Sequence, residues 1–241
     1  MARVVSIVSL SFMVALAMTL TGCSTCGTCS SCKSCGMTCS PDQLLKMAKD
    51  DEGYEPVFKK DLSNAAMEPG GWEFKDGVLF PTGHGDIWSE ERYGDFILEL
   101  EFKCEPETNS GVFIRTGDLV NWLHTAIEVQ VLQPNDAYDN PKHHCGGIFD
   151  VLEPSKQMVK NPGEWNHYYI IAKGKKIYVW LNGEQVIDMD LNRWTEPHKN
   201  PDGTKNKFKT AYKDMPMEGH IGLQYHGHPV WFRNIRIKPL D

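Results

Sequence analysis

Residues 109–132, NSGVFIRTGDLVNWLHTAIEVQVL, put a guanidinium, a carboxylate and an amide on what read as two short strands, 112–115 and 125–132. A loop carrying Gly117 and Asp118 joins them. Side chains alternate across a strand, so Ala126, Glu128 and Gln130 share the face opposite Ile127, Val129 and Val131. In the first strand Phe113 and Arg115 share the face opposite Val112 and Ile114. If the two polar faces coincide in one sheet, Arg115, Glu128 and Gln130 converge on one patch. A carboxylate there suits proton transfer or metal ligation, and the fixed fork of arginine suits a carboxylate or an oxyanion. The same alternation also describes the solvated side of a half-exposed sheet, with Arg115 and Glu128 as a structural ion pair. Farther on, Gly222, Gln224 and His226 alternate with Ile221, Leu223 and Tyr225, placing Gln224 and His226 on one polar face. With a reference pKa of about 6.5, histidine is a natural proton donor near neutrality. Beside Gly227, His226 also fits a plain turn.

Rigid elements must position these groups, and the chain supplies strands. In 94–104, GDFILELEFKC, Phe96, Leu98, Leu100 and Phe102 face a core, while Glu99, Glu101 and Lys103 face away. Segments 168–173, 175–181 and 185–189 read as a meander whose Asn182-Gly183 turn tolerates the positive φ of a type I′ hairpin. Asp76-Gly77 signals another hairpin, and 219–225 and 231–238 read as closing strands. Strands at this spacing, with little helical periodicity, predict an all-β fold, a two-sheet antiparallel sandwich or jelly roll. Residues 190–217 have no period and read as an insertion over one end of the sandwich, a length more often functional than spare. A short helix is expected over 41–49, with Asp42 near its start. Cys104 and Cys145 either pair or stay as small buried residues; spacing does not decide.

The N-terminus reads as an export signal. Arg3 precedes an apolar run from Val4 to Leu20, which ends in Leu20-Thr21-Gly22-Cys23. That ending resembles the lipobox of bacterial lipoproteins, which implies lipidation at Cys23 and a membrane partner through that anchor. The expected organisation is a signal over 1–22, a Cys/Ser-rich tether with the short helix over 23–53, and one β domain over 54–241. In the tether Cys26, Cys29, Cys32, Cys35 and Cys39 follow one another with few apolar residues between, which favours a disordered flexible segment over a zinc knuckle or redox motif; metal capture there stays open. A net charge of -7 over 241 residues argues against nucleic acid as partner. The basic run 205–209, KNKFK, reads as a solvated loop.

Six blocks in one order, DIWSEERYGDFILELEF (86–102), NSGVFIR (109–115), EVQVL (128–132), GEWN (163–166), VWLNG (179–183) and GHIGLQYHGHPVWFRNIRI (219–237), closely resemble the 3-keto-disaccharide hydrolase domain family. The resemblance covers roughly 54–239. It implies a concanavalin-like or laminin-G-like jelly roll, common in exported bacterial proteins, acting on glycosides whose glucose unit carries a ketone at C3. A ketone at C3 acidifies the hydrogen at C2, so a base can form an enolate that expels the aglycone from C1, and water then adds to the enone. Direct hydrolysis is the other route. On this resemblance Glu128 is the expected base or metal ligand, Arg115 the enolate partner and His226 the acid. Gln130, Asn109 and Gln224 would bind sugar hydroxyls, Trp88 or Trp122 would stack on a pyranose, and Lys156 and His144 would reach the substrate. The residues settle no cofactor, and Glu128, His144 and His226 could form a site for a divalent metal ion. The cell envelope is the expected location. A carbohydrate-binding, lectin-like module on the same tether is the alternative.

Overall fold

The computed structural model describes residues 39–134 and 140–240. The stretch read as a signal, Cys23 and the cysteines Cys26 to Cys35 lie outside the described residues. One compact unit begins at Ser40.

Its first element is α1, Pro41–Ala48, which Ser40 opens with a capping box: the Ser40 hydroxyl accepts from Gln43 N, and the Gln43 side chain accepts from Ser40 N. The helix buries Leu44 and Ala48. Lys238 Nζ donates to the carbonyls of Met47 and Asp50, and the Tyr54 hydroxyl donates to that of Ala48. These bonds fasten the helix to the domain that follows, so the compact unit starts ahead of the expected boundary at residue 54.

Thirteen strands follow: β1 Glu55–Pro56, β2 Ala65–Ala66, β3 Trp72–Lys75, β4 Val78–Pro81, β5 Ile87–Tyr93, β6 Phe96–Cys104, β7 Asn109–Thr116, β8 Ile127–Leu132, β9 Trp165–Lys173, β10 Lys176–Leu181, β11 Glu184–Asp190, β12 Gly219–Leu223 and β13 Val230–Pro239. They form two antiparallel sheets, one ordered β11-β10-β9-β6-β13-β4-β3 with β1 on β13, the other β2-β5-β12-β7-β8. This is the all-β sandwich that the alternation predicts. Leu98, Leu100 and Phe102 are fully buried between the sheets. On the outer face Glu99 and Glu101 pair across the strand with Arg236 and Arg233. Asp76-Gly77 and Asn182-Gly183 both turn with positive φ (52° and 80°; 52° and 86°), as the hairpin signals require.

The segment 190–217, expected as an insertion over one end, is a packed strap: Leu191, Trp194, Phe208, Tyr212 and Met215 are all buried in the core. One expectation needs revision. Arg115 leaves the face of Glu128. In β7, Thr116 lies opposite His220 and Phe113 opposite Gly222, so two residues of β7 face one of β12. This bulge puts Arg115 at φ 51° and resets the alternation. Its guanidinium donates to Gly94 O, Gly174 O and Asp95 Oδ1, each at 2.8 Å, clamping the turns before β6 and β10. Cys104 and Cys145 are free buried thiols. Cys145 Sγ lies 3.4 Å from the Tyr168 hydroxyl, and burial pushes its thiol up to about 11.

Candidate active site

The site forms on the outer face of the smaller sheet, and two glycines make room for it. In β7 Gly111 lies opposite Gln130, and Phe113 lies opposite Glu128. A Cβ at Gly111 would fall 2.6 Å from Glu128 Oε1, so only glycine leaves space for that carboxyl. In β12 a Cβ at Gly222 would stand 2.4 Å from the Trp88 ring. Trp88 therefore lies flat under the sheet face, stacked on Phe113 with centroids 5.1 Å apart, and Trp122 packs on Phe113 at 4.8 Å. Trp88 is buried floor, whereas Trp122 reaches the hollow above.

That hollow has a volume of about 360 Å³. Asp86, Asn109, Glu128, Gln224 and His226 line one side of it, and Trp122, Leu123 and Phe149 supply an apolar side. Glu128 is 5% exposed. Burial pushes its carboxyl up to about 8; the charge of Lys207 works against that rise and the carboxylate of Asp86 adds to it. With its amide turned to satisfy its neighbours, Gln130 donates to Glu128 Oε1 at 3.1 Å and to Ser110 O at 3.2 Å. Its other end meets the Asn109 amide at 3.2 Å. Burial also raises the Asp86 carboxyl, which accepts from Tyr225 N at 2.9 Å and is opposed by the charge of His226. Gln224 is 7% exposed, and its Oε1 has no partner. An orphaned buried acceptor facing a hollow is suited to a ligand hydroxyl. The strap contributes Tyr212, whose buried hydroxyl is likewise unpartnered and lies within the influence of Glu128 and Asp150.

The hollow thus unites Glu128, His226, Asn109 and Gln224 from the sequence-based set, with Gln130 behind Glu128. Arg115 is at the bulge, held by Asp95. His144 Nδ1 bonds the Gln157 amide, and Lys156 pairs with Glu184 at the start of β11; neither lines the hollow. Among the described residues no three His, Cys, Asp or Glu side chains come together as a metal-holding group, so the set Glu128, His144, His226 is not assembled. Sequence reasoning assigned no role to Asp86 or Lys207. Asp86 stands 42 positions from Glu128 (128 − 86), and Lys207 sits in a run of basic residues that reads as solvated. No local spacing links either to the strand. A larger hollow, about 760 Å³, opens beside Tyr54 and Arg236. Its carboxylate, Glu99, is held below the ordinary value despite burial, by His167 and Arg236. It is a satisfied ion-pair network, not a poised base.

A concave site on a jelly roll, with two raised carboxyls and an apolar wall, is the build of a glycoside-hydrolase-like enzyme. The chain belongs to the 3-keto-alpha-glucoside-1,2-lyase-like domain family, whose model matches residues 53–238. It is similar to the 3-keto-disaccharide hydrolase of Bacteroides thetaiotaomicron, 27% identical over 238 residues that span 82% of each chain. A crystal structure of a candidate glycosyl hydrolase from Parabacteroides distasonis is 36% identical, covers 78% of this chain and 99% of its own, and superposes with a TM-score of 0.74. A second from the same organism, 23% identical and covering 85% of this chain and 99% of its own, shares the fold at a TM-score of 0.63.

Proposed function

We propose that the protein cleaves glycosides whose glucose unit carries a ketone at C3, with Glu128 as the general base at C2. The observation that carries this reading is a single buried carboxyl pushed up to about 8 at the base of a sugar-sized hollow. A base titrating near working pH combines a useful ionised fraction with real proton affinity. The B. thetaiotaomicron relative, by its name, acts on 3-keto-disaccharides, which supports the substrate class.

Glu128 Oε1 takes the C2 proton, and the pair left behind moves toward the C3 oxygen. Collapse of that enolate breaks the bond from C1 to the glycosidic oxygen. His226, on the open side of the hollow, protonates the departing oxygen, with the Asp86 carboxyl beside it. Water then adds across C1 and C2 to give the 3-keto-sugar. Gln224 Oε1 accepts from a ring hydroxyl, Asn109 offers its amide beside it, and Trp122 covers one ring face. Gln130 holds the Glu128 carboxyl in line. We further propose that the mature chain begins at Cys23, lipidated, and works at the cell envelope, as the Leu20-Thr21-Gly22-Cys23 ending suggests.

Incubating the purified domain with a 3-keto-disaccharide should release 3-keto-glucose, and E128Q should lose roughly 100-fold or more of kcat. Wild-type protein that binds the sugar but leaves it intact would instead make this a lectin-like module.

A further inference from the structure

Proton removal at C2 places negative charge on the C3 oxygen, and a positive group must meet it. Arg115 cannot, because all three of its donating nitrogens are engaged at the far bulge. Around the hollow itself, Lys207 is the only lysine or arginine among the described residues. We propose that Lys207 is a catalytic residue: its ammonium swings from the rim onto the C3 oxygen and carries the enolate charge. This inference rests on the 3-keto-glycoside reading above.

The strap that delivers Lys207 is fixed on both sides of it. Its own N–H donates to Asp150 Oδ2 at 2.9 Å. Its neighbour Asn206 donates to Asn200 Oδ1 at 2.9 Å, and Phe208 on the other side is 2% exposed in the core. The backbone is therefore pinned while the side chain stays exposed at the rim. Lys207 Nζ rests 4.2 Å from the centre of the Phe149 ring. It belongs to none of the ion pairs among the described residues. Lys142, by contrast, is bound to Asp202. A cation parked on an aromatic face is weakly held and free to exchange that contact for a developing oxyanion. Its field already reaches the reacting carboxyl, since Lys207 is the charge that opposes the raised pKa of Glu128.

The electron count closes without any co-reactant. The C2–H bond breaks and its proton goes to the Glu128 carboxylate. The freed pair forms the C2–C3 double bond, and the carbonyl π pair becomes the lone pair on oxygen beside the Lys207 ammonium. When C3=O reforms, the C2–C3 π pair moves to make C1=C2, the C1–O bond breaks with its pair on the leaving oxygen, and His226 supplies a proton to that oxygen.

The test compares wild type, K207M and K207R on one 3-keto-disaccharide, measuring kcat, KM and the pH midpoint of kcat/KM. The charged and titratable groups bearing on Glu128 are Asp86, Lys207 and Tyr212, with His226 acting on Asp86. Removing the cation should drop kcat by about 100-fold with a far smaller change in KM. It should also move the midpoint upward from about 8, because Lys207 lowers the Glu128 pKa. K207R should restore most of the rate and return the midpoint. A K207M enzyme within about threefold of wild type in kcat, with an unmoved midpoint, overturns the role of Lys207 and leaves the 3-keto reading intact. A wild-type enzyme with no turnover of the 3-keto-sugar overturns both.

Discussion

Glu128 is stable in the form that cannot act. Its folded pKa, about 8, stands above the ordinary 4.5, so the native state favours the protonated carboxyl. The stability tied to that proton is fully present below about 4.5 and is lost as pH rises through about 8. Catalysis runs the other way, since the base must be ionised. The ascending limb of kcat/KM, set by ionisation of Glu128, is therefore expected to have its midpoint near 8. E128Q, inactive and without the titration, should melt above wild type at pH 9, by on the order of a few kcal/mol in stability, with the gap closing toward pH 5. Thermal melts of the two proteins across that range check the sign. Gly111 tests the same spot by size: G111A forces a methyl within 2.6 Å of Glu128 Oε1, so activity should collapse while the strand still pairs. Circular dichroism beside an activity assay separates the two effects.

At the scale of elements, the β7 bulge decides which polar residues are chemical and which are structural. The period-two pattern correctly placed Glu128 and Gln130 opposite Ile127 and Val129. It failed at Arg115, because the extra residue of β7 is visible only against β12, a strand more than a hundred positions downstream. Arg115 is 1% exposed and donates to Gly94 O, Gly174 O and Asp95, so R115M should destabilise the fold by roughly 3 kcal/mol as those groups lose their donor. Whatever protein remains folded should keep the wild-type pH midpoint; urea melts and the pH profile together check this. The strap failed to announce itself for a related reason. Its buried anchors Leu191, Trp194, Phe208, Tyr212 and Met215 follow no helical or strand period, so the stretch looks like free loop until the core is seen. Helix α1 behaves as part of the domain: L44A should cost roughly 2 kcal/mol even though Leu44 lies ahead of the family-matched region.

For the whole molecule, the sandwich was legible because alternation, hairpin turns and block order each point to it. The hollow was half legible. Glu128, on β8, and Gln224, just past the end of β12, could be read from their faces, whereas Asp86 and Lys207 enter from a strand start and a strap whose positions depend on the complete fold. In the proposed reaction Glu128 removes a proton from C2 before the glycosidic bond breaks. Running the cleavage in D2O and reading the early product by NMR tests it directly. Elimination followed by hydration should leave deuterium at C2 of the released 3-keto-glucose, at a rate that E128Q abolishes. Product that still carries its original hydrogen at C2 at early times would contradict the account and assign the enzyme to direct hydrolysis at C1.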